Sequence, residues 1–481
     1  MVNALSGLSF VSSLTAVPPT WGAWPRLLAE ASEADIEPLV LGGVLLSLIT
    51  VYLAAKLGGE LCARINLPPV LGELIGGVVV GVSALHLIVF PEGAGETGSI
   101  LMRLIEGTSD LGAEGIRSVF QGESEVISIL AELGVIILLF EIGLESDLKE
   151  LIRVGPQAAA VAIVGVVVPF ALGTAGLIFF FDIATVPAVF AGAALTATSI
   201  GITAKVLAEL QKLSSKEGQI IIGAAVLDDV LGIIVLAVVA SLAKTGEIEV
   251  KNVAILIVSA AAFLIGSIFL GRLLSPLFVG LVNQMKTRGE LIISSLVFAF
   301  LLSYVAAAIQ LEAILGAFAA GLILAETSKH KELEEQIVPI SDMLVPVFFV
   351  TVGARTDVSV LNPLDPANRE GLIIASFMVV IAIIGKVVAG FAVFGQPSIN
   401  RLAIGIGMIP RGEVGLVFAG VGSASGALSE SLEAAIIVMV ILTTFVAPPL
   451  LRLVFDDSSG EPPKEEVKVT ATSSEEQASA S

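Results

Sequence analysis

Two adjacent carboxylates, Asp228 and Asp229, stand in the middle of Gly218–Ala240, a run that is otherwise apolar apart from Gln219. A carboxylate at mid-bilayer costs roughly 2.5–3.5 kcal/mol on insertion scales, and here there are two. Acids kept at that cost point to binding of a cation or a proton. The competing reading, two silent hydrogen-bonded acids, is disfavoured by the same cost. Consecutive side chains on a helix diverge by about 100°, so the pair cannot face one point equally and needs separate partners or separate roles.

A lysine, Lys386, lies at the centre of the apolar run Ile381–Gly390. A buried ammonium needs an anion beside it, and one of the two aspartates is the economical choice. Its central position argues against a lysine that snorkels from a span end. Two further stretches read as interrupted helices. In Ala193–Thr203 the hydroxyls of Thr196, Thr198 and Ser199 cluster with Gly201, and in Gly405–Gly415 Pro410 and several glycines stand where a helix cannot continue smoothly. Unwound backbone frees carbonyls, and with the three hydroxyls these suit a small hard cation, which prefers oxygen ligands. Arg411 and Glu413 fall in the second break, where they are expected to neutralise each other or the half-helix ends, a structural electrostatic role. Glu73 and Glu141, near span interiors or ends, are candidate pathway residues, with a peripheral structural role as the competing reading.

These residues need a membrane scaffold, and composition supplies one. The 481 residues are 56% hydrophobic and only 15% charged, with a mean hydropathy of +0.98. Apolar runs of about 20 residues recur from Pro38 to Phe455, so the chain is expected to be an all-α polytopic membrane protein. The runs are continuous rather than alternating, which excludes a transmembrane β-barrel. We read about thirteen spans: 38–56, 68–88, 126–143, 155–181, 185–206, 217–243, 250–285, 289–308, 311–327, 338–356, 370–395, 399–421 and 431–455. The segment 250–285 reads as one long tilted helix or two short ones, with Arg272–Pro276 as the doubtful point. Each break is the middle span of a three-span unit, 155–243 and 370–455, a pattern that points to a transporter site at mid-membrane.

A single cysteine, Cys62, excludes an intrachain disulfide and Cys-rich metal sites, and two histidines leave no cluster for zinc or haem. No cofactor is expected. Proline at 410 and the lack of a preceding strand exclude a dinucleotide loop. No nucleophile–base pair stands out, so an enzyme is not expected. The net charge of −20 is largely local: residues 1–37 hold four acids and one base, while 89–125 and 456–481 each hold seven acids and two bases. Nothing suggests nucleic acid, and the acidic tail repels anionic lipid. Fifteen Lys and Arg residues fall on one side of the bilayer and seven on the other, which places residues 1–37 outside and the tail in the cytoplasm. A cleaved signal peptide is not favoured, and the tail 456–481 is expected to be disordered and too short for a cytosolic ligand-binding domain.

Taken together, Leu67–Gly76, Leu138–Glu145, Thr196–Ser199, Leu227–Asp229, Gly316–Glu326, Phe348–Gly353, Gly385-Lys386 and Pro410–Gly415 resemble the cation/proton antiporter-2 family. These are the bacterial sodium/proton antiporters and their relatives, and the nearest likeness is to cyanobacterial members, some of them thylakoid proteins. The resemblance implies a sodium/proton-antiporter fold with inverted repeats and two crossed discontinuous helices. It also implies a homodimer with a scaffold domain at its interface and a mobile core domain. By the same resemblance Asp229 alternately binds Na+ and H+ while Asp228 pairs with Lys386, and the Asp-Asp form goes with electrogenic exchange. Glu141 stands where many relatives carry an apolar residue.

The expected function is therefore exchange of Na+, or of Li+ or K+, for H+ by alternating access, with cation and proton competing for Asp229. A potassium/proton antiporter or a channel-like potassium-efflux protein is the alternative. A channel would need a carbonyl filter, and Thr351-Val-Gly-Ala354 diverges from such a motif at once. A sodium-coupled symporter would need an organic substrate pocket.

Overall fold

The computed structural model describes residues 33–91, 98–109, 111–245, 250–364, 368–395 and 398–457. The N-terminal segment up to residue 32 and the tail from residue 458 lie outside the described residues. The described chain is all helical: α1 Glu33–Arg64, α2 Pro69–Val80, α3 Ile100–Thr108, α4 Ala113–Glu145, α5 Leu148–Phe181, α6 Thr185–Ala194, α7 Ile200–Glu209, α8 Lys216–Thr245, α9 Val250–Gln284, α10 Glu290–Ala308, α11 Ala313–Ala325, α12 His330–Ala354, α13 Asn368–Gly390, α14 Arg401–Gly407, α15 Glu413–Ala424 and α16 Glu430–Asp457. Eight of these are long and apolar enough to cross a membrane: α1, α4, α5, α8, α10, α12, α13 and α16.

The span read as 250–285 is the single helix α9, which runs through Pro276. The expected spans 185–206 and 399–421 are each two short helices, α6 with α7 and α14 with α15, joined by non-helical backbone. Two boundaries differ from expectation. The helix read as 126–143 begins at Ala113, and its extra turns belong to the acid-rich stretch 89–125. Glu123 is only 5% exposed there, because the Ser47 hydroxyl of α1 donates to it at 2.6 Å and removes the cost of burying it against a neighbouring helix. Likewise α12 starts eight residues before 338, at His330, whose Nε2 lies 2.9 Å from the Leu144 carbonyl oxygen.

Helix packing sorts the elements into two sets. In the first, α5 packs on α8 and α13, α13 on α14 and α16, and α6 on α15. In the second, α4 packs on α11 and α12, α1 on α2, and α2 on α12. Small residues set these approaches. Gly72 and Gly76 of α2 face the α1 backbone, while Gly77 and the C-cap Gly81 face that of α12, so two Gly-Xaa3-Gly spacings serve different neighbours. A close crossing of the same kind joins Gly143 of α4 to Gly321 of α11. A β-carbon added at Gly321 would fall 2.1 Å from the Phe140 carbonyl oxygen, which no rotamer change relieves. Gly321→Val is therefore expected to destabilise the protein by about 3 kcal/mol or to prevent its folding. A melting temperature equal to wild type in detergent would show that this crossing is looser than the geometry requires.

The pattern long helix, interrupted pair, long helix occurs twice, as α5 to α8 and as α13 to α16. The two copies start seven spans apart in the sequence reading, so they cross the membrane in opposite directions, which is the arrangement of inverted repeats.

Candidate ion-binding site

The site is built where the two interruptions meet. Helix α6 ends at Ala194 and α7 begins at Ile200. Helix α14 ends at Gly407, and α15 begins at Glu413 after the proline-containing stretch 408–412. Each unwound stretch leaves backbone groups without partners inside a helix, and inside a membrane such groups must be satisfied by protein. They satisfy each other. The Ser199 amide donates to the Pro410 carbonyl at 2.8 Å. The Thr198 hydroxyl donates to the Met408 carbonyl at 3.2 Å, and that of Thr203 to the Gly407 carbonyl at 2.8 Å. From the second break, the Arg411 guanidinium donates to the Ala197 carbonyl, and the Thr444 hydroxyl of α16 donates to the Arg411 carbonyl. Each buried group left unmade would cost about 1–3 kcal/mol, so these bonds hold the crossing as one unit.

Helix α8, which carries both aspartates, packs on α6, α7, α14 and α15, the helices that flank the two breaks. Asp228 and Lys386 are each 0% exposed, and Lys386 Nζ donates to both carboxylate oxygens of Asp228, at 3.1 and 3.2 Å. Room for the ammonium comes from α5, where a β-carbon on Gly165 would stand 3.3 Å from Nζ. Asp229 is 3% exposed and lies on a different face of α8. Lys386 is within electrostatic reach of Asp229 and Arg411 as well as of Asp228. One turn beyond Asp228 on the same face, Gly232 lies against Ala197, whose carbonyl holds Arg411.

The hydroxyls at the first break do different things. Thr196 donates to the Ala193 carbonyl at 2.7 Å, closing the end of α6, and Thr198 ties the two breaks together. A hydroxyl that donates its proton still offers lone pairs to a cation. Ser199 Oγ is buried and has no hydrogen-bond partner among the described residues. Arg411 is 0% exposed. Glu413 begins α15, but its side chain lies outside the described residues.

Glu73 and Glu141 belong to a second polar cluster. The Ser341 hydroxyl of α12 donates to Glu141. Lys205 of α7 is within electrostatic reach of Glu73, Glu141, Glu145 and Glu209. Glu209 in turn accepts from the Val70 amide at 3.2 Å, at the start of α2. A cavity of about 70 Å³ lies among Tyr52, Lys56, Glu73, Lys205, Ser341 and Asp342. Along α7, Lys205 sits between one and two turns from Ser199 and Glu209 nearly three. Sequence reasoning passed over Thr203, Lys205, Glu209, Ser341 and Thr444. For Thr444 the signal was present, since Thr443-Thr444 interrupts an apolar span; for the others it lay only in the tertiary contacts.

The family described as "Sodium/hydrogen exchanger, transmembrane" matches residues 44–456. The chain is 67% identical over 422 residues to the high-affinity Na(+)/H(+) antiporter NhaS3 of Synechocystis sp., covering 87% of this chain and 91% of that one. It is 32% identical over 391 residues to the Na(+)/H(+)-K(+) antiporter GerN of Bacillus cereus, covering 80% and 89% of the two chains. Among solved structures, the sodium proton antiporter MjNhaP1 of Methanocaldococcus jannaschii at pH 8 aligns with a TM-score of 0.56 at 16% identity, covering 88% of this chain and 96% of that one. At that identity the likeness shows the fold, an antiporter fold with two interrupted helices crossing. The chain is an integral membrane protein and belongs to the sodium/hydrogen exchanger family.

Proposed function

We propose that this protein exchanges Na+ for H+ across its membrane by alternating access, the two ions competing for Asp229. The observation that carries the reading is the division of labour in the buried pair: Asp228 is engaged by Lys386, while its neighbour Asp229 lies on a different face of α8, a helix that packs on the elements flanking both breaks. The printed names of the relatives support the same chemistry. A carboxylate buried in the membrane is costly in either access state, and a bound cation or proton that neutralises it lowers that cost. Only the occupied form then crosses between the two faces, which couples the opposing ion movements and prevents leak. Thr196, Thr198 and Ser199 supply oxygens around the cation, and Arg411 and Glu413 balance the half-helix ends. Lys386 provides a second titratable group, so each turnover moves net charge.

In this reading 155–243 and 370–455 form a mobile core, the remaining spans form a scaffold, and two copies join through the scaffold as a homodimer. The N-terminal segment lies outside or in the lumen and the tail in the cytoplasm, in a bacterial inner membrane or a thylakoid membrane, where the exchange serves pH homeostasis. Potassium for protons is the second reading, favoured by the name of the Bacillus cereus relative. Purified protein in proteoliposomes decides: a pH-sensitive dye is expected to respond to Na+ pulses, with Li+ and K+ as comparisons, while a potential dye reports charge movement. A response to K+ alone would replace sodium with potassium, and no response to any of the three would overturn the exchange reading.

Glu73 and Glu141 line the cation's approach on the Lys205 side of the crossing. Glu73→Gln or Glu141→Gln is expected to raise the apparent KM for Na+ about 3- to 10-fold with little change in maximal rate, because only ion recruitment is weakened. An unchanged KM in both variants would return these acids to a structural role.

A further inference from the structure

Arg411 carries a feature that a helix-end charge does not require. Its side chain is fully buried. One amino group donates to the Ala197 carbonyl, yet Nε and Nη2 have no hydrogen-bond partner among the described residues. A guanidinium buried with two donors idle is expensive, and such groups persist where another state uses them. The nearest use is Asp228. Asp228 and Gly232 share a face of α8, one turn apart. A β-carbon added at Gly232 would stand 3.7 Å from Ala197, and Ala197 holds Arg411, so the guanidinium sits near that face and within electrostatic reach of Asp228. Lys386 holds Asp228 from α13.

We propose that Asp228 alternates between two partners during transport: Lys386 in the arrangement seen here, and the idle Nε and Nη2 of Arg411 when Lys386 lets go. This inference rests on the exchange reading above and gives Arg411 the role of a positioning residue. The chemistry of the two cations fits the division. A buried lysine can release its proton when its surroundings change, whereas an arginine keeps its charge. If cation binding at Asp229 drives the Lys386 proton off, Asp228 becomes a buried carboxylate facing neutral lysine. Arg411 is then the charge that prevents its isolation, and the two parallel donors of its fork match a carboxylate. The proton leaves Lys386 Nζ for solvent water on the open side, the lysine becomes a neutral amine, and Asp228 stays ionised throughout.

The test compares the loss of melting temperature caused by Arg411→Gln in three backgrounds: wild type, Lys386→Ala, and Lys386→Ala with Asp228→Asn. The proposal predicts the largest loss in Lys386→Ala, where Arg411 alone holds Asp228, and a return to the wild-type loss or less once Asp228 is uncharged. In proteoliposomes, Arg411→Gln is expected to lower the maximal exchange rate about 10-fold while moving the KM for Na+ less than about 3-fold. If Arg411→Gln does not fold, Arg411→Lys, which keeps the charge but loses the fork, is put through the same series with the same ordering expected. Failure of Lys386→Ala/Arg411→Gln to fold, when the triple variant folds, is the strong form of the predicted result. Equal melting losses in all three backgrounds would mean that Arg411 only closes the Ala197 carbonyl, and an unchanged maximal rate would take it out of the cycle; either overturns the proposal. The melting series does not depend on transport, so wild-type protein that exchanges no alkali cation would remove the exchange reading and be told apart from a failure of the partner swap.

Discussion

Asp229→Asn is expected to abolish exchange while leaving a well-folded protein. The asparagine matches the aspartate in shape, so packing beside the crossing is preserved. It can neither take up a proton nor offer a negative charge to a cation. Both half-reactions then stop together, and the dye response is expected to fall by more than about 100-fold, to the level of empty liposomes. Stability should change little, since the isosteric amide keeps the packing. A melting temperature near that of wild type with no transport is therefore the signature of an ion-binding carboxylate. Robust exchange by the folded variant would show that Asp229 is a silent buried acid and would end its assignment as the shared ligand.

Lys386→Ala carries the second large effect. Lys386 and Asp228 are both 0% exposed and joined by two hydrogen bonds. Truncating one partner of such a pair leaves an uncompensated charge and costs about 3–5 kcal/mol, where a surface pair would cost under about 1 kcal/mol. A clear drop in melting temperature is expected, with recovery when Asp228→Asn is added, because the orphaned charge is then gone. The transport readout is separate. If Lys386 takes part in the proton count, the charge moved per Na+ changes in the variant. Unchanged charge per turnover would confine Lys386 to a structural role, even with the stability loss observed.

How much of this was legible in the chain depends on the reach of the interactions. The membrane class, the two interruptions and the oddity of Asp228, Asp229 and Lys386 followed from local composition, because each violates the apolar rule within its own span. That Lys386 needs an anion also followed. That its oxygens are those of Asp228 did not follow from the residues alone, since the choice depends on the rotation of α8 about its axis against α13. The same holds for the bonds that close the breaks. Thr203 and Thr444 look like ordinary hydroxyls in helices, and only the crossing brings them to the Gly407 and Arg411 carbonyls. Glu123 falls outside the expected span 126–143, because what buries it involves Ser47, 76 residues away. Lys205 lies at the end of the expected span 185–206, and the cluster of carboxylates around it is assembled from three other helices, α2, α4 and α12, as well as its own.

The central claim is that a cation and a proton compete for one carboxylate, and equilibrium Na+ binding to purified protein across pH tests it without transport. Competition makes the two affinities reciprocal. Where the site is largely protonated, the apparent Kd for Na+ should rise about tenfold for each unit that pH falls; well above that range it should level off. Asp229→Asn should bind little Na+ at any pH. A Na+ Kd that stays constant as pH falls through the protonation of the site, or Na+ binding retained by the Asn variant, would contradict the account.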